Sequence, residues 1–313
     1  MKEEIAILLA AYNGEQYIRE MIESILKQET EAEWKLYVFD DCSKDETPAI
    51  LAGFAQLYPE KILFTENEKG TGSAKKNFLQ ALQKVDAPYL MFADQDDFWL
   101  PDKIEKTYRK MKEVEEPDKP CMVFCDLQVV DKDLQKVADS FLDYSDLDHG
   151  ASKFERLLIQ NNIPGCTSMI NRRLRDEAAK LSDTEADQIL MHDWYMALIA
   201  SGAGRLDFLD EQKILYRVHG DNSVGVQDVR KVSYLAKRAA MVKKNKESVR
   251  ATRVQAGVLV AHADKLLPPE RKKLIEGYAG VNEKRYLQRL AFHLKYHIWK
   301  KGLLRKAAMI VFL

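Results

Sequence analysis

Residues 4–11, EIAILLAA, are a near-continuous apolar run, the pattern of a parallel strand buried on both faces. Asn13-Gly14 marks a turn. Tyr17, Ile18, Met21, Ile22, Ile25 and Leu26 then recur at helical spacing over residues 15–28. WKLYVF, residues 34–39, predicts a second buried strand that ends at Asp40-Asp41. Ser43 and Thr47-Pro48 read as capping and first-turn residues of a helix reaching about Leu57. A short strand over 62–65, a helix over 75–83 and a buried strand over 89–93 (YLMFA) continue the alternation. Further on, the pattern predicts a strand over 122–130, a polar loop over 139–152 and a Gly/Pro-marked loop over 161–170 leading into a strand. A helix over 187–201 carries His192 and Asp193, and a strand over 211–217 precedes His219. Such alternation predicts an α/β fold, an open and mostly parallel sheet flanked by helices, with ligands bound beyond the carboxyl ends of the strands. Asn13, Asp40, Asp41, Asp94 and Asp96 fall there.

From about residue 226 the pattern changes to basic helical segments over 231–253 and 283–305. The formal net charge of −1 conceals this: residues 226–313 hold 21 Lys and Arg against 6 Asp and Glu, a net of +15, and residues 1–225 carry −16. A division into a catalytic unit over 1–225, with a nucleotide half (1–100) and an acceptor half (101–225), and a helical basic region over 226–313 follows. The near-neutral total speaks against a nucleic-acid binder. No run approaches the ~18–20 apolar residues of a membrane span. The first residues lack the positive start and cleavage site of a signal peptide. The four cysteines form no C-x-x-C pair, which suits buried free thiols in a reducing cytosol.

Candidate chemistry clusters at the predicted strand ends. Asp94-Gln95-Asp96-Asp97 places three carboxylates within four residues, suited to Mg2+ or Mn2+ or to a solvated acidic turn. Asp40-Asp41 could accept a hydrogen bond from a nucleobase N–H or cap the following helix. The Gly70-Thr71-Gly72 loop before Lys75-Lys76 lacks a P-loop pattern and suits either a nucleotide contact or a plain helix start. Asp193 beside Trp194 reads as a general base or a helix-surface carboxylate. His219 reads as a metal ligand or a loop histidine.

Together these pieces resemble family 2 glycosyltransferases of the GT-A fold, over about residues 4–225. The resemblance rests on Ala11-Tyr12-Asn13-Gly14, Asp40-Asp41-x-Ser43, the 67–77 segment, Asp94-x-Asp96-Asp97 and His192-Asp193-Trp194, in that order. Phe92–Trp99, Ile163–Thr167, Met191–Trp194 and Tyr216–Gly220 are similar to the bacterial rhamnosyltransferase branch. The resemblance implies that Ala11, Tyr12, Asn13, Glu15, Asp40, Asp41, Lys76, Asp94 and Gln95 bind the nucleotide sugar. It implies Asp96 and His219 as metal contacts, Asp193 as general base, and Gly165, Cys166, Thr167, His192 and Trp194 near the acceptor. The family's common Glu-Asp pair is His192-Asp193 here. The implied reaction is inverting, metal-dependent transfer of a sugar from a dTDP- or UDP-linked donor to a lipid-linked or growing cell-surface saccharide. L-rhamnose from dTDP-rhamnose leads over UDP-hexoses and UDP-N-acetylhexosamines. An inactive nucleotide-sugar-binding partner subunit and a nucleotidyltransferase are the competing readings.

The stretch 285–306 sets Leu287, Leu290, Ala291, Leu294 and Ile298 on one face among lysines and arginines. This predicts an amphipathic helix lying on an anionic membrane at the cytoplasmic face, with packing on the core or a homo-oligomer contact as alternatives.

Overall fold

The computed structural model describes residues 4–150, 152–218 and 242–313. Strand β1 (Glu4–Ala11) sends Ile5, Ile7 and Leu9 to one side of the sheet and Ala6 and Leu8 to the other, all fully buried. Side chains alternate across a strand, so an unbroken apolar run must be covered on both faces. The other strands are β2 (Glu33–Asp40), β3 (Ile62–Glu66), β4 (Tyr89–Asp94), β5 (Phe98–Trp99), β6 (Cys121–Val130), β7 (Lys136–Ala138), β8 (Ser168–Asn171) and β9 (Arg205–Arg217). They form a nine-stranded sheet in the order β3-β2-β1-β4-β8-β6-β9-β5, with β7 beside β6. β3, β2, β1 and β4 are parallel, as the alternation requires. Beyond them the sheet is mixed: β8 runs antiparallel to both β4 and β6, whereas β6 and β9 are parallel.

The helices are α1 (Ile18–Leu26), α2 (Thr47–Leu57), α3 (Ala74–Lys84), α4 (Lys103–Val114), α5 (Phe141–Tyr144), α6 (Phe154–Leu157), α7 (Arg172–Ala178), α8 (Asp183–Gln188), α9 (His192–Ala203), α10 (Val242–Ala263), α11 (Pro269–Ala279), α12 (Tyr286–Tyr296) and α13 (Leu303–Phe312). α1, α2 and α4 cover one face of the sheet; α3, α9, α10 and α11 belong to the core on the other. Each fully buried Leu or Ile there contributes about 2 kcal/mol of transfer free energy.

Three helical expectations need correction. The predicted loop over 139–152 contains α5, capped by the Ser140 hydroxyl, which accepts from the Asp143 N–H. The predicted helix over 187–201 is interrupted: α8 ends at Gln188 and α9 begins at His192. The intervening backbone bonds elsewhere, with Leu190 N–H on Gln255 Oε1 (2.8 Å) and Lys75 Nζ on the Ile189 carbonyl (2.6 Å). The predicted amphipathic helix over 285–306 is likewise two helices. His297 adopts a left-handed conformation (φ 54°) at the end of α12, and Gly302 (φ 89°) precedes α13. Ile298 is fully buried, and Phe292, Tyr296 and Trp299 pack on the same core cluster as α3 and α9. Part of the basic region therefore packs on the α/β unit. The predicted helix over 231–253 is described only from residue 242.

Candidate active site

The strand order reverses between β1 and β4, which opens a crevice beyond their carboxyl ends. Loops pinned to one another form its walls. Tyr12 N–H donates to Gln95 Oε1 (2.8 Å), and Gln95 Nε2 donates back to the Tyr12 carbonyl (3.0 Å). Asn13 takes a left-handed conformation (φ 48°); its N–H reaches Ser43 Oγ and its Oδ1 receives Lys44 N–H, both at 2.8 Å. Gly14 N–H donates to Thr47 Oγ1 (2.8 Å), and a Cβ at Gly14 would lie 2.5 Å from Gln95 Oε1, so a side chain there would displace Gln95 from its hydrogen bonds with Tyr12. The Glu15 carboxylate receives Glu46 N–H (2.9 Å). The Tyr12 ring is left exposed at the crevice mouth, and Ala11 is buried beneath it.

Both carboxylates after β2 are buried and engaged. Asp40 accepts from Ser43 N–H (2.9 Å) and Ser43 Oγ (2.5 Å). Asp41 accepts from Thr71 N–H (2.7 Å), Thr71 Oγ1 (2.9 Å), Gly72 N–H (3.0 Å) and Asn67 Nδ2 (3.2 Å). Asp41 thus clamps the Gly-rich loop. Lys76, expected beside the nucleotide, pairs with Asp187 at 2.6 Å across a largely exposed contact.

Asp94, Asp96 and Asp97 form the acidic turn after β4. Burial, then the charges of Asp96 and Asp193, raise the Asp94 pKa to about 7. Asp97 is buried, with neither carboxylate oxygen hydrogen-bonded, and burial pushes its pKa well above the usual carboxylate range. Carboxylate oxygens of Asp94 and Asp97 and the Cys166 sulfur lie within 4.8 Å of one another. Burial and the two aspartates also push the Cys166 thiol well up. Carboxylate oxygens are the hard donors that Mg2+ and Mn2+ take. Crowded negative charge suits a divalent cation there, with the partly accessible Asp94 and Asp96 as its reachable donors. Beneath the turn, Lys103 is fully buried with its Nζ 3.7 Å from the Trp99 ring centroid and no hydrogen-bond partner. Burial lowers its pKa to about 8, against the opposing pull of Cys125, Cys166 and Asp97.

Facing this turn is the start of α9. Asp193 is 6% exposed and accepts from Trp194 N–H at 2.5 Å. Burial raises its pKa to about 7, against the backbone hydrogen bonds that lower it. His192 is buried, stacked on Phe78 at 4.5 Å and close to Phe92, with both ring nitrogens unpartnered. Burial, with a smaller effect of Lys75, lowers its pKa to about 3, so it is neutral. A Cβ at Gly165 would come within 3.1 Å of His192 Nε2 and 3.5 Å of Asp193 Cβ; the glycine lets this turn lie against the pair.

The structure brings Asp94, Asp96, Asp193 and the Gly165–Thr167 turn together. Gly165, Cys166, Thr167 and His192, assigned by resemblance to the acceptor, are buried in this structure. Trp194 is partly buried, with its indole N–H on the Leu157 carbonyl (2.6 Å). His219 lies outside the described residues. Sequence reasoning missed Lys103, and it named Ser43, Thr71 and Asp97 only as members of their motifs, without the places they take in the site. Nothing local marks the lysine nine residues after Asp94 as fully buried.

A sheet that reverses its order beside an acidic turn, with a carboxylate facing that turn from a helix start, is the arrangement of GT-A-type glycosyltransferases. The family model of glycosyl transferase family 2 matches residues 6–118 of the chain. The dTDP-rhamnosyl transferase RfbG of Shigella flexneri is 28% identical over 243 residues, which cover 75% of this chain and 79% of that one. WfgD of Escherichia coli, a UDP-Glc:alpha-D-GlcNAc-diphosphoundecaprenol beta-1,3-glucosyltransferase, is 36% identical over 101 residues, covering 32% of this chain and only 38% of that protein. In fold, the chain is similar to the mannosyltransferase PcManGT from Pyrobaculum calidifontis, solved with GDP-Man and Mn2+. That likeness has a TM-score of 0.56 at 15% identity and covers 99% of this chain and 79% of that one.

Proposed function

We propose that the chain is an inverting glycosyltransferase that moves L-rhamnose from dTDP-rhamnose to a hydroxyl of a lipid-linked or growing cell-surface saccharide. The observation that carries the transfer chemistry is the buried Asp193 carboxylate, set against the acidic turn and holding its proton up to about pH 7. A carboxylate with that affinity takes a proton from an attacking hydroxyl near neutral pH. Asp193 receives the acceptor proton while the acceptor oxygen attacks the anomeric carbon from the face opposite the nucleotide. The bond from that carbon to the diphosphate oxygen breaks as the new bond forms, so one displacement inverts the centre. The donor lies over the β1 and β4 ends, with its base between Tyr12 and the Asp40-Asp41 turn and its diphosphate towards Asp94 and Asp96. A divalent cation, Mn2+ or Mg2+, would be held by Asp96 with Asp94 and would supply Lewis-acid neutralisation of the diphosphate.

The choice of rhamnose and dTDP is supported by the Shigella relative, and a lipid-linked acceptor by the Escherichia coli one. Work on such an acceptor suits a protein docked on the cytoplasmic face of an anionic membrane. Exposed Leu287 and Leu294 on α12 and Leu303, Ile310 and Val311 on α13 support that docking. Residues 284–313 carry eight Lys and Arg and no Asp or Glu. Among the described residues no helix is long and apolar enough to cross a membrane. The test of donor choice is a panel of dTDP- and UDP-sugars with Mn2+ or Mg2+, read as nucleoside diphosphate released. dTDP-rhamnose is expected to be turned over fastest. Preference for a UDP-hexose would overturn the assignment of the sugar, and no turnover of any donor would favour the inactive-subunit reading.

A further inference from the structure

Away from the crevice, α10 and α12 enclose a cavity of about 230 Å³ lined by Lys246, Arg250, Arg253, Asn282, Arg289 and the single acid Glu247, with Val249 at its wall. Lys246, Arg250 and Arg253 follow one another at i, i+4 and i+7, so one face of α10 presents three cations. Arg289 approaches from α12. Arg253 is 4% exposed. Its Nη1 donates to Asn282 Oδ1, and its guanidinium lies 6.0 Å from the Tyr278 ring centroid. Its Nε and Nη2, and the Nε of Arg289, are buried without hydrogen-bond partners. Among the described residues no carboxylate pairs with any of the four cations. Burial, together with the charge of Arg289, lowers the Arg253 pKa, but a guanidinium stays protonated in a protein.

A buried guanidinium without a counter-charge is costly, and unused donors aimed into a cavity are unsatisfied unless an acceptor enters. The forked donors of two arginines match the oxygens of phosphate. We propose that this cavity is a phosphate-binding site. Arg253 and Arg289 receive the anionic oxygens, and Lys246 and Arg250 close the rim. The phosphate is either that of a lipid headgroup or a free soluble one. The inference is independent of the donor and acceptor assigned to the crevice.

The test uses the full chain and two probes: pyrophosphate followed by calorimetric titration, and flotation with phosphatidylcholine vesicles made with or without phosphatidic acid. Arg250→Gln combined with Arg289→Gln leaves the buried Arg253 in place and keeps the fold testable by circular dichroism. Pyrophosphate binding that weakens about tenfold in the double variant, the loss expected for charge-assisted hydrogen bonds, supports the site and assigns a soluble phosphate. Flotation that requires phosphatidic acid and falls in the double variant, but not in Lys306→Gln, supports the site and assigns a lipid headgroup. The proposal is overturned if the folded double variant binds both probes as the parent does, or if neither probe binds the parent. An equal loss of flotation in Lys306→Gln, without pyrophosphate binding, would also overturn it, because diffuse charge would then suffice.

Discussion

Asp193 lies in the first turn of α9, where the helix dipole favours a charged carboxylate. Burial outweighs the dipole and the backbone hydrogen bonds, and the pKa stands at about 7. The basic form is therefore filled only as pH rises through neutrality. kcat/KM is expected to climb with an apparent pKa of about 7 and then level off; a profile flat from about pH 5 to 9 would contradict the assignment. The same groups affect stability. Asp94 and Asp193 have pKa values of about 7 against an ordinary 3.8, so the folded state binds their protons more tightly than the unfolded one. Their contribution is fully present below about pH 4 and is lost as pH rises towards 7. Scanning fluorimetry of the metal-free protein should show a smaller fall in Tm between about pH 5 and pH 8 in Asp94→Asn than in the parent. Mn2+ should raise Tm more at the upper pH than at the lower, and more in the parent than in the variant. Equal responses would mean that Asp94 neither titrates there nor meets the cation.

At the scale of elements, the site is a set of loops held by side chains at strand ends. Asp41 gathers four donors from the 67–72 segment. Asp41→Ala is expected to cost about 2–3 kcal/mol, because it removes several charge-assisted hydrogen bonds from a buried carboxylate at once. Urea unfolding should register that loss, with weaker nucleotide binding beside it; an unchanged midpoint would show that the loop holds itself. The alternating elements through β4 were legible because buried parallel strands read as apolar runs such as EIAILLAA, and helices as 3.6-residue stripes. The acidic turn and Asp193 were legible as residue types at strand and helix positions. The break before α9 was not, since Gln255 and Lys75 that capture its backbone are distant in sequence. Nor was the engagement of Asp40 by Ser43 and of Asp41 by Thr71, which depends on how two loops meet. The amphipathic stretch 285–306 kept its composition but not its single helix, because His297 and Gly302 turn the chain and Ile298 is drawn into the core.

Across the whole molecule, the near-neutral total divides into an acidic α/β unit and basic helices packed on it. α12 and α13 adjoin where Tyr286 Oη donates to the Ile310 carbonyl (2.9 Å), and both leave leucines and valine exposed beside lysines and arginines. Leu303→Glu with Val311→Glu is expected to abolish co-sedimentation with anionic vesicles while leaving Tm within a few degrees; undiminished pelleting would show that these faces do not meet the bilayer. The catalytic claim rests on Asp193 as the base. Its most direct measurement compares the parent with Asp193→Asn for nucleoside diphosphate release from the preferred donor with acceptor present, alongside nucleotide affinity. Loss of turnover by about a hundredfold or more, with nucleotide affinity kept within about threefold, is the expected result. Near-normal turnover in Asp193→Asn would contradict it.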